Sequence, residues 1–69
     1  MTQKELAYFE DAIGHESNII KILEDLLKSI SDNRVVEFIK EETNKHSVRK
    51  EKLINFLKEQ SNEWTISVR

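Results

Sequence analysis

An apolar residue recurs every three or four positions through the first thirty residues of this chain, and no proline interrupts the pattern. The row reads Leu6, Phe9, Ile13, Ile20, Leu23, Leu27 and Ile30, with a single polar intruder, Glu16. Beside it runs a second row, Tyr8, Ala12, Ile19, Ile22 and Leu26, with His15 in its gap. Glu10, Asp11, Ser17, Lys21, Glu24 and Lys28 fall on the opposite face. This spacing predicts an amphipathic α-helix with a wide apolar stripe. One row serves one neighbouring helix, and two rows imply two neighbours, as in a four-helix bundle. Thr2 and Glu5 stand at the spacing of a capping box, which sets the helix start.

The strongest turn signal in mid-chain is Ser31-Asp32-Asn33, where Ser31 or Asp32 can cap a following helix. That helix carries Val35, Val36, Phe38 and Ile39, then Leu53, Ile54, Phe56 and Leu57. So short a connection makes the two helices antiparallel neighbours. The expected fold is all-α: an antiparallel two-helix hairpin that dimerises into a four-helix bundle. Its parts are a helix over 3–30, a turn over 31–33, a helix over 34–60, and a C-terminal arm or tail over 61–69. In that last stretch Trp64, Ile66 and Val68 alternate with polar residues, and an arm packing through Trp64 is favoured over a frayed tail.

A chain this small is expected to associate with a copy of itself, or with another protein, to bury its apolar faces. Sixty-nine residues bury little surface, and domains this small lean on disulfides, a metal or oligomerisation. There is no cysteine, which leaves the last two. One glycine and no proline cannot punctuate a many-stranded β fold. The formal charge of −2 gives no footprint for nucleic acid or anionic lipid. No apolar run approaches the roughly 20 residues that span a bilayer, and no signal-peptide core follows the N-terminus. A cytoplasmic location is the default expectation, with a spore-associated or cell-surface setting equally compatible. Nucleophile triads, glycine-rich phosphate loops and Walker-type sequences are missing, so hydrolase and nucleotide-dependent readings have no support.

Antiparallel pairing places side by side those residues whose numbers add to about 63 or 64. Leu6 then meets Leu57, and Phe9 meets Ile54, apolar against apolar. The same rule sets Glu16 beside His46. The second helix turns polar at that level, in the row Val35, Ile39, Glu42, His46, Arg49, Leu53 and Phe56. Glu42 and His46, four apart, share a face. A carboxylate among apolar neighbours is costly unless something compensates it. One compensation is a metal ion, with Glu16, Glu42 and His46 as ligands and His15 ancillary, since carboxylates and imidazoles on facing helices hold iron, manganese or zinc in bundle cores. A symmetric dimer would double the set. The other compensation is a Glu16–Arg49 ion pair or a Glu–His hydrogen bond, which needs no metal and fixes helix register and oligomer state. Water in a widened interior would serve as well.

The segment from Phe38 to His46, followed by Leu53, Phe56 and Leu57, resembles the second helix of a ferritin-like or rubrerythrin-like half-bundle. In that superfamily one helix supplies a Glu and the next a Glu-x-x-His. The resemblance implies Glu16 and His46 in those roles, iron as the favoured ion over manganese or zinc, and ferroxidase-like chemistry if a coordination position stays open. Thr43 stands where the family has its second Glu, with Glu42 adjacent. A second resemblance, through Gly14-His15-Glu16-Ser17-Asn18-Ile19-Ile20, is to a hemerythrin-like helix, with His46 and Glu51 standing for the family's next His and Glu at a spacing of five instead of four. The functional alternative to a metal protein is a non-catalytic assembly or adaptor hairpin. The basic cluster of Lys45, Arg49, Lys50 and Lys52 reads as a solvated face balanced by Glu41 and Glu51.

Overall fold

The computed structural model describes the backbone of residues 1–68 and the side chains of residues 1–60. It contains two helices, α1 (Gln3–Leu27) and α2 (Asn33–Val68), and no strand among the described residues. They pack against each other as an all-helical hairpin with extents of 55 × 17 × 13 Å. No described helix is long and apolar enough to cross a membrane.

The start of α1 follows the sequence signal. Thr2 Oγ1 accepts from the Glu5 amide at 3.1 Å, and the Thr2 amide donates to the Glu5 carboxylate at 2.8 Å. These bonds satisfy two of the donors a helix start leaves open. The other end differs from expectation. α1 stops at Leu27, not at residue 30; the Lys28 amide donates back to the Asp25 carbonyl at 3.2 Å and the Ser29 amide to the Leu26 carbonyl at 3.0 Å. Nothing in the apolar spacing marks this, because Ile30 continues the row while already in the turn, half-buried against the hairpin. The connection therefore runs over 28–32. Asp32, and not Ser31, caps α2: its Oδ1 accepts from the Arg34 amide at 2.9 Å and the Val35 amide at 3.4 Å.

α2 also outruns its expected end at residue 60 and continues to Val68. After Asn33 the chain has no glycine or proline to stop a helix, and alternating apolar residues alone do not. The expected packing of the Trp64 side chain lies outside the described residues.

The first apolar row of α1 faces α2. Phe9 stacks on Phe56 with ring centroids 5.1 Å apart and planes 11° apart, two residues further along α2 than the expected Ile54. Of the described apolar side chains only Ile39 is buried, at 3% exposure. Much of the second row lies open: Tyr8 is 61% exposed, Ile22 64% and Leu26 42%. On α2, Phe38 is 61% exposed. The accessible surface, 5827 Å², compares with roughly 4,500 Å² for a compact monomer of this mass.

Candidate functional site: a carboxylate tie between the helices

Among the described side chains the one buried charged residue is Glu16, at 8% exposure, halfway along α1. Across the seam stands His46, whose Nδ1 lies 2.5 Å from Glu16 Oε2. The other carboxylate oxygen, Oε1, accepts from Arg49 Nη1 at 3.4 Å. Arg49 comes from one turn beyond His46 and is itself largely exposed, so its charged end reaches in from the edge of the hairpin. Both oxygens of the carboxylate thus have a partner on α2.

The hydrogen bond with His46 holds the Glu16 carboxyl below its ordinary range; burial pushes the other way, and Arg49 adds to the lowering. An ionised carboxylate only accepts, so His46 Nδ1 carries the proton in this contact. No buried side-chain nitrogen or oxygen is left without a partner among the described residues. Two neighbouring hydroxyls take no part. Ser17 Oγ donates to the Ile13 carbonyl at 3.0 Å, and Thr43 Oγ1 to the Ile39 carbonyl at 2.8 Å. Each serves its own helix backbone.

Of the four residues expected to gather here, Glu16 and His46 do and the other two do not. His15 is exposed. Glu42 is half-buried and meets Lys45 on its own helix at 3.4 Å. Its position lies about 40° round α2 from that of His46, toward the edge of the seam, where a lysine three residues on is the nearer partner. Among the described residues no three His, Asp or Glu side chains cluster closely enough to hold an ion. Within one chain the donor set is one carboxylate and one imidazole. A dication there would also have to displace the Arg49 cation from Oε1; the expected site draws its ligands from two copies of the chain. Arg49 belongs to the cluster instead, and its position one turn past His46 was the sequence signal for it.

A shallow, open depression lined by Asn44, Lys45, Val48, Arg49 and Lys52 lies along α2. Fold and site together define a helical hairpin tied at mid-length by a carboxylate–imidazole–guanidinium cluster. Comparisons with family models, curated proteins and solved structures returned no match.

Proposed function

We propose that this chain is a non-catalytic assembly hairpin. It self-associates through its helix faces, and the Glu16–His46–Arg49 cluster fixes the register of α1 on α2. The observation carrying this reading is that the polar level is closed by the protein's own groups, while large apolar side chains are left uncovered outside it. A closed polar layer supplies position instead of reactivity. Sliding α1 along α2 by one turn in one direction would set the Glu16 carboxylate against Glu42, and by two turns in either direction would strand it beside Ile39 or Leu53, whereas sliding an all-leucine seam would cost little. Self-association supplies the apolar burial that so small a chain lacks alone.

The test is the mass in solution of untagged protein, measured by light scattering over a dilution series, together with its metal content. The reading expects a defined oligomer and no stoichiometric metal. A monomer at every concentration would overturn it. So would retained iron, manganese or zinc with a melting temperature that rises on adding the ion, since that outcome requires a second copy to complete a ligand set around Glu16 and His46.

A further inference from the structure

Five of the uncovered apolar side chains, Tyr8, Ile22, Leu26, Phe38 and Phe56, lie on one side of the hairpin; Leu6 falls on the opposite side of α1 and Val35 at the seam. At 3.6 residues per turn, Tyr8 and Leu26 stand about 80° round α1 from Glu16, and Ile22 about 120°. On α2, Phe38 and Phe56 stand about 80° round from His46. The displacement has the same rotational sense in both helices, each viewed along its own chain direction. For antiparallel neighbours, equal sense means the same side. Val48, 42% exposed, falls on the far side of α2. The shared face is apolar at both ends, with Leu26 level with Phe38 near the turn and Tyr8 level with Phe56 near the open end. At its middle His15 is level with Arg49.

From this face we infer a two-fold dimer in which both turns lie at the same end, with α1 of each copy packed on α2 of the other. This deepens the proposed self-association and rests on it. The occupant is a second copy for two reasons. First, the accessible surface of the elongated chain exceeds that of a compact protein of this mass by about 1,300 Å², so one copy leaves surface for another to cover. Second, the helices are of opposite charge. α1 carries Lys4 and Lys21 against Glu5, Glu10, Asp11, Glu16, Glu24 and Asp25, a formal −4. α2 carries seven Lys and Arg against six Glu, a formal +1.

The turns-together arrangement sets each acidic α1 between two helices of slight positive excess, its own α2 and the partner's. It places Leu26 on the partner's Phe38 and Tyr8 on the partner's Phe56. The reversed arrangement pairs α1 with α1 and α2 with α2. Matching Phe38 to the partner's Phe56 there also sets Lys45 against the partner's Arg49, twice over, and like charges opposed across an interface select against that register.

Because the chain has no cysteine, one introduced thiol reports the arrangement without further changes. Ser31 is exposed in the turn and takes no part in the cap. A spin label on Ser31→Cys, measured by pulsed dipolar spectroscopy in otherwise intact protein, should give an inter-label distance under about 25 Å, given helix spacings of 8–10 Å. A distance of about 40 Å, one helix length, would mean the reversed dimer and overturn the inference while leaving self-association standing. A monomer would fail the proposed function as well. In parallel, Ile22→Glu should weaken self-association at least tenfold, and Val48→Glu, equally charged but on the far side, should leave it unchanged. The opposite pattern would overturn the choice of face.

Discussion

At the residue scale, the behaviour of the hairpin in acid turns on Glu16. Its folded carboxyl is held below its ordinary range, first by His46. A depressed carboxylate stabilises the fold in full above its unfolded value, about 4.3, and that stabilisation is lost as the pH falls through the lower folded value. Stability should therefore drop below about pH 4.3, and Glu16→Gln should flatten that part of the pH profile, which thermal melts at stepped pH will read. Glu5 is lowered in the same direction by its cap with Thr2, so Glu5→Gln should remove a separate portion of the acid response. Replacing Glu16 and His46 together with Leu should leave thermal stability unchanged or raised by about 1–4 kcal/mol. Loss of a single defined oligomer in that variant is the accompanying expectation; one unaltered mass would count against a register role.

The Glu16–His46 pair was legible in the sequence because a carboxylate in an apolar row has to be compensated, and the antiparallel register leaves few residues opposite it. Arg49 was legible as the cation one turn on. Glu42 and His15 were not placed correctly, because apolar periodicity fixes a face only coarsely. A residue at the edge of the seam is claimed by a neighbour on its own helix, as Lys45 claims Glu42, or by solvent, as with His15.

For the elements, starts were clear and ends were not. A helix start needs acceptors for open amides, and Thr2, Glu5 and Asp32 announce them. Neither helix end is marked by a glycine or proline, so the stop at Leu27 and the run to Val68 depend on packing and on the absence of breakers. Two substitutions test this account. Asp32→Ala should cost about 1 kcal/mol by uncapping α2. Gly14→Ala should gain about 0.5–1 kcal/mol, because a Cβ at this helical position meets nothing within 4 Å. Gly14 also falls on the side of α1 away from both α2 and the uncovered apolar face, so the gain should come with no change in mass. Chemical denaturation of each variant beside the parent reads both.

For the whole molecule, the balance between exposed and buried apolar surface decides whether the hairpin stands alone. Only Ile39 is buried among the described apolar side chains, against uncovered Tyr8, Ile22 and Phe38. Folding coupled to association makes stability depend on concentration. The melting temperature should fall on dilution, and calorimetry across a hundredfold concentration range will follow it; a constant value would show that one copy is self-sufficient. The hairpin was readable at this scale because two long periodic apolar segments flank one short turn signal.

The hairpin is fastened at three heights: the covalent turn, the Glu16 tie at mid-length, and the Phe9–Phe56 stack toward the open end. Only the middle fastening responds to protons. Acid should therefore part the two helices at the centre while the turn and the ring stack hold, with only the first turn of α1 loosening at its cap, like a seam whose middle stitch has been cut.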